Sequence, residues 1–90
     1  MTREEFLEVM RVGIDMCTRG IATLTRVYIS EFNFFSDIPI LCCTFLMGTR
    51  PVGVSVHLNE ELLFDRNNVG MRDRLIRDIQ EHLLHYIRIQ

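Results

Sequence analysis

The sequence has no lysine and no tryptophan, and it contains only two prolines and five glycines among its 90 residues. All ten basic residues are arginines, and because twelve residues are acidic the formal net charge is −2. This balance excludes an overall electrostatic attraction to nucleic acid or anionic lipid, although a local patch can still supply one. With 48% apolar and 24% charged residues, the composition predicts one compact folded domain over residues 1 to 90.

The sequence also lacks an apolar run of about 18 residues, the length that crosses a bilayer. Residues 1 to 5 include two acids where a secretory signal is basic. Cys17, Cys42 and Cys43 form a poor disulfide framework, because their number is odd and adjacent strand residues point to opposite faces. We therefore expect reduced, buried thiols, a cytoplasmic location and no contact with membranes.

Helical periodicity marks both ends of the chain. Thr2 followed by Glu5 is the pattern of a capping box, which predicts a first helix over residues 3 to 17. The apolar face of this helix is wider than the surface that packing on one small sheet would bury. The period is helical again from residue 70 to about residue 89, where charged residues lie opposite an apolar arc.

The middle of the chain has the pattern of strands. Residues 21 to 29 are rich in β-branched side chains and predict a first strand, with a second helix as the competing interpretation. Residues 38 to 47 are continuously apolar, which is typical of a central strand. A turn at residues 49 to 51 and alternating valines over residues 52 to 58 predict a hairpin.

Residues 59 to 69 end in turn formers and indicate either a short helix or an edge strand. The predicted fold class is therefore α+β, a small domain in the order α-β-β-β-α with a three-stranded antiparallel sheet packed against two helices. Such a sheet has two free edges and an uncovered face, which pairing of two copies about a two-fold axis would cover.

Patterns of enzymes and cofactor sites are missing from the sequence. It has no Ser, His and acid arrangement, no Gly-rich phosphate loop and no acidic metal loop, so we expect neither an enzyme nor a cofactor. His82 and His85 lie three residues apart, but a metal needs three or four converging donors, and structural histidines are the favoured interpretation. Cys42 and Cys43 lie in the most apolar segment, where packing is favoured over thiol chemistry.

Four arginines surround the start of the predicted last helix: Arg66, Arg72, Arg74 and Arg77. Free backbone N–H groups and the helix dipole favour an anion at such a position. The competing interpretation is a solvated face of ion pairs, in which Arg74 lies four residues before Asp78, and Arg77 four before Glu81 and four after Asp73.

The order helix, three strands, helix resembles that of double-stranded-RNA-binding domains, in which a basic cluster at the start of the last helix contacts phosphates. The likeness covers most of the chain and is one of topology. The lysines of that family's cluster are absent here, and Asp73 interrupts the arginines. The resemblance implies nucleic acid as an alternative ligand of the arginine cluster. The cluster itself, as an anion site, adds a small nucleotide to this alternative.

Several large apolar residues have no evident place in a thin core. Phe34 and Phe35 lie in the first loop, and Leu84 falls on the polar arc of the last helix. Aromatic residues at such positions favour a protein interface, and the competing interpretation is that the loops fold back over the core. We therefore predict a small non-enzymatic binding protein that acts as a homo-oligomer, most simply a dimer, and contacts a partner protein. Its size and lack of motifs suggest an accessory or inhibitor factor of a virus or phage.

Overall fold

The computed structural model describes residues 1–31 and 38–88. The elements in chain order are α1 (Arg3–Thr18), β1 (Thr23–Ser30), β2 (Ile40–Met47), β3 (Arg50–His57), α2 (Glu60–Leu63) and α3 (Val69–Arg88). The strands form one antiparallel sheet in the order β1-β2-β3. The predicted α+β class is confirmed, as is the strand rather than helix at β1, and α2 is an addition to the predicted order.

The predicted capping box begins α1. The Thr2 hydroxyl accepts a hydrogen bond from the Glu5 backbone N–H, and the Glu5 carboxylate accepts one from the Thr2 N–H, both at 3.2 Å. These bonds satisfy backbone donors that a helix start otherwise leaves free. After α1 the chain turns at Gly20, whose φ of +85° is costly for other residues. The helix buries one residue per turn against the sheet: Phe6, Met10, Ile14 and Thr18.

The hairpin between β2 and β3 turns one residue earlier than predicted. Met47 pairs with Arg50, so Gly48 and Thr49 are the two turn residues, and Gly48 supplies the positive φ of +65°. Positive φ at the first turn residue alone is the type II′ pattern, which matches the twist of the strands. Arg50 and Pro51 belong to β3, because proline is tolerated where its missing N–H faces a free edge. β2 begins at Ile40, two residues later than predicted.

The sheet has one covered and one uncovered face. Leu41, Cys43 and Phe45 of the central strand β2 are buried beneath the helix layer. The opposite side chains of β3, such as Ser55, are exposed, as predicted for a strand solvated on one face. α1 and α3 pack against each other, and α1 contacts β1 while α3 contacts β3.

The segment between β3 and α3 closes one end of the core. Its short helix α2 buries Leu63, and the ring of Phe64 packs on Phe6 with 4.8 Å between the ring centroids. The amino group of Met1 donates to the Phe64 carbonyl at 2.7 Å. The ambiguous segment is thus a helix and a cover on the core rather than an edge strand.

Candidate interaction surfaces

A stripe of apolar side chains lies on the surface of α1. Val9, Val12 and Met16 are 45%, 46% and 63% exposed. Their spacing of three and four residues places them on one face of the helix, about 10 Å from first to last at a rise of 1.5 Å per residue. Single exposed apolar residues are ordinary, but three adjoining ones on one helix face mark a candidate interface. We call Val9, Val12 and Met16 the α1 stripe.

A groove between α1 and α3 borders this stripe. The helices approach closely at Gly13, where an added Cβ would lie 2.6 Å from Cδ1 of Ile76. One turn further along both helices, Gln80 Nε2 donates to the Cys17 carbonyl at 2.9 Å, so the helices run in the same direction. The groove has a volume of about 290 Å³ and is lined by Gly13, Met16, Cys17, Asp73, Ile76 and Arg77.

Charged side chains flank the α1 stripe on its solvent side. Glu8 pairs with Arg11, and Asp15 pairs with Arg19 at 3.3 Å. At the start of the helix, Glu5 accepts a 2.7 Å bond from Arg66. Exposed pairs of this kind contribute little stability. An apolar centre with a charged border is, however, the usual anatomy of a protein interface.

Arg72 is buried and bound within the protein, which corrects its place among the predicted anion ligands. It is only 7% exposed, and its guanidinium donates to the carbonyls of Leu63 at 3.2 Å, Arg66 at 3.1 Å and Asp65. These acceptors lie at the end of α2 and in the connection between α2 and α3. The planar fork of arginine suits several acceptors at once, so Arg72 holds this connection against the first turn of α3.

The other three arginines do not form one solvent-facing cluster with it. Arg66 is paired with Glu5, whereas Arg74 and Arg77 are exposed and form no ion pair within residues 1–31 and 38–88. The predicted pairs of Arg74 with Asp78, and of Arg77 with Asp73 and Glu81, do not form among these residues. The cluster expected from the RNA-binding resemblance is therefore reduced to two arginines, and anion binding stays a prediction.

A second charged contact lies where α1 meets α2. The guanidinium of Arg3 binds the carboxylates of Glu31 at 2.6 Å and Glu60 at 2.7 Å. The Glu31 carboxylate, with Glu60, raises the pKa of the Arg3 guanidinium. Glu31 is exposed and the other two groups are partly exposed, so we assign this contact an orienting role for α2.

The cysteines differ in environment. Burial raises the pKa of the Cys43 thiol to about 12, so this group stays neutral and packs in the core, as predicted. Cys42 points to the opposite face of β2, where its Sγ accepts a weak 3.9 Å contact from the Ser55 hydroxyl. Cys17 is exposed at the end of α1, so the prediction of uniformly buried thiols is wrong there.

The predicted histidine pair lies on the surface of α3. His82 Nδ1 is 2.8 Å from the Asp78 carbonyl, and both His82 and His85 are exposed. Among the described residues, no group of three or more histidine, cysteine or acidic side chains could hold a metal ion.

The uncovered face of the sheet contains no acidic side chain among the described strand residues. The guanidinium of Arg26 lies over the ring of Tyr28, 4.3 Å from its centroid, in a cation–π contact. Ile40 and Leu46 of β2 lie on the same face. This face is mildly apolar and does not provide a second charged patch.

The predicted partner-binding residues are only partly placed. Phe34 and Phe35 lie outside the described residues. Leu84 is half-buried rather than fully exposed. The α1 stripe was not singled out from the sequence, although the excess width of the apolar face of α1 was its signal.

No protein-family model, curated protein or solved structure matches the chain. None of the described helices combines the length and the apolar character needed to cross a membrane. What the protein does is therefore inferred from its own surfaces.

Proposed function

We propose that the chain is a small, non-enzymatic binding protein that forms a homodimer and contacts a partner protein through the α1 stripe. The observation that carries this proposal is the exposure of Val9, Val12 and Met16 at helical spacing. In a monomer these side chains remain in water, which is unfavourable by about 25 cal/mol per Å² of apolar surface. Phe34, Phe35 and Leu84 remain predicted contributors.

The shape of the surface favours a helix or a loop of a partner as its ligand. The α1 stripe forms a ridge, and the adjacent groove offers a concave apolar wall beneath Met16, formed by Gly13 and Ile76. Two helices commonly pack by inserting a ridge of side chains on one helix into a groove on the other. The groove ends in Asp73 and Arg77, which supply one charge of each sign for orientation.

The homodimer is tested by the molar mass in solution. Light scattering at micromolar to submillimolar concentration is expected to give twice the mass of 10.6 kDa at the upper end. A mass that stays monomeric over the whole range would contradict the proposal.

The partner surface is tested with a matched pair of variants. The double variant Val12→Gln, Met16→Gln removes two of the three side chains of the stripe, whereas Leu62→Gln changes a residue of α2 that is 44% exposed, close to the 46% of Val12. In an affinity capture with the immobilised chain, a partner protein that binds the wild type should fail to bind the double variant and should still bind Leu62→Gln. The same ranking must then hold in titrations with that protein in purified form, and equal binding by both variants would rule out the stripe.

The alternative, binding of a nucleotide or nucleic acid, receives less support. Arg72 is engaged with backbone carbonyls, and Asp73 and Asp78 lie close along α3 to the exposed Arg74 and Arg77. A role as a viral or phage accessory or inhibitor factor stays a prediction from size and the lack of motifs.

A further inference from the structure

The two edges of the sheet differ in how well they are protected. In the edge strand β1 the register with β2 shifts between Leu24 and Arg26, and the bulged Thr25 turns its hydroxyl to the Thr44 carbonyl. Bulges and long charged side chains are common means of preventing edge-to-edge pairing. β3, in contrast, pairs with β2 in regular register over all of its eight residues.

The hydrogen-bond pattern identifies the free groups of β3. The Leu58 N–H donates to the Pro39 carbonyl at 2.9 Å, and these residues lie opposite each other in the register. Hydrogen-bonded pairs alternate along an antiparallel ladder, so Val56, Val54 and Val52 also bond to β2. The N–H and C=O groups of Gly53, Ser55 and His57 therefore point to the outer edge. No described residue bonds to them there.

We propose that this edge pairs antiparallel with β3 of a second copy, joining two three-stranded sheets into one of six strands. This inference rests on the proposed homodimer and assigns its interface. A two-fold axis at Ser55 places Gly53 opposite His57 of the second copy and the two Ser55 residues opposite each other. In this register all three free N–H groups of each chain meet a free carbonyl of the other, which is the reason for choosing a second copy as the occupant.

The side chains agree with the same register. The bulky His57 meets a glycine, which leaves room for its ring on the uncovered face. On the covered face, Val54 lies opposite Val56 of the second copy, and β-branched pairs of this kind stabilise sheets. Pro51, which has no N–H, lies just outside the paired segment and ends it. Met71 and Leu75 of α3 line the space beside this edge and would gain apolar cover.

The deciding measurement is amide hydrogen exchange of the wild-type chain as a function of concentration. We expect Gly53, Ser55 and His57 to become protected together as the dimer forms, while the amide of Thr25 at the other edge is unchanged. A dimer by light scattering without this protection overturns the β3 interface and leaves the homodimer intact. A strict monomer overturns both.

Variants at Ser55 give a second, independent measurement. Ser55→Pro removes an N–H that β2 does not use, whereas Ser55→Thr keeps it. We expect the proline variant to weaken the dimer by about a hundredfold, because both hydrogen bonds at the axis are lost, with an unchanged circular dichroism spectrum. The threonine variant should dimerise like the wild type. Equal dimerisation of both variants would overturn the assignment.

Discussion

The two long helices bury similar apolar faces against the same sheet, but their outer surfaces differ. The outward side of α1 presents Val9, Val12 and Met16 beside charges that are paired with each other. The outward side of α3 presents charged residues that form no ion pairs among the described residues, and it directs one arginine, Arg72, inward.

This difference shows that the amphipathic pattern of a helix does not identify what covers its apolar residues. α3 contacts α1, α2 and β3, and the middle of its apolar arc is buried. Its exposed apolar residues, Val69, Met71 and Ile87, lie near its two ends and form no continuous stripe. The apolar arc of α1 extends past α3 into solvent. Apolar helix residues that stay exposed to solvent indicate a binding surface more strongly than a cluster of like charges does. Charged side chains are well hydrated, whereas exposure of an apolar patch to water is unfavourable.

The largest expected effect contrasts the two apolar faces of α1. Met10 is fully buried and Met16 is 63% exposed. We expect Met10→Ala to lower the free energy of unfolding by about 2–5 kcal/mol and Met16→Ala to lower it by less than about 0.5 kcal/mol. Urea denaturation of both variants under monomeric conditions measures the contrast, and similar losses would mean that the stripe belongs to the monomer core.

The next effect contrasts two arginines of α3. Arg72→Ala removes the guanidinium donor from three carbonyl groups, of which that of Asp65 keeps the Asn68 N–H, and should cost about 2–3 kcal/mol of unfolding free energy. Arg74→Ala should change it by less than about 0.5 kcal/mol. Thermal and urea unfolding of both variants provide the measurement. If Arg72→Ala is as stable as Arg74→Ala, Arg72 is free to act as an anion ligand after all.

A smaller effect probes the point where the two helices meet. Gly13→Ala introduces a methyl group against Cδ1 of Ile76. Ile76→Val removes that carbon, so the double variant should be more stable than the sum of the single changes by about 1 kcal/mol. A double-mutant cycle from urea denaturation measures this coupling energy. Strict additivity would show that α3 shifts to accommodate the added methyl group without cost.

The smallest effect concerns the start of α1. Hydrogen bonds from the backbone and hydroxyl of Thr2, followed by the charge of Arg66, lower the pKa of Glu5. Because the folded-state pKa lies below the unfolded value, the stabilisation is present above the ordinary pKa of a glutamate side chain and is lost as the pH falls through the lower folded-state pKa. The stability difference between wild type and Glu5→Gln should therefore shrink on acidification, and a pH-independent difference would contradict this assignment.

Much of the fold could be predicted because its signals are local. The capping box of Thr2 and Glu5 marks the start of α1, and the unbroken apolar run of β2 predicts the central strand of the sheet. The turn was misplaced by one residue because Pro51 was assigned to it. Proline is common in turns, but the free edge of β3 tolerates it equally well.

The candidate surfaces were less predictable. Arg72 and Arg74 stand two residues apart and have the same chemistry, and the sequence alone cannot tell which of them faces the α2–α3 connection. The α1 stripe has the same difficulty, since Val9 and Met10 are both apolar neighbours in the chain. Their difference in burial depends on where α3 packs.

The sequence by itself determined the α+β class, the strand order along the chain and the excess of apolar surface on α1, because these follow from periodicity and capping within a few residues. Only the tertiary structure decided which apolar face of α1 stays in water, which arginine is buried and which sheet edge is left regular. These depend on packing between elements far apart in the chain. Such contacts are set by close approach, as at Gly13 and Ile76, and residue patterns alone do not specify them.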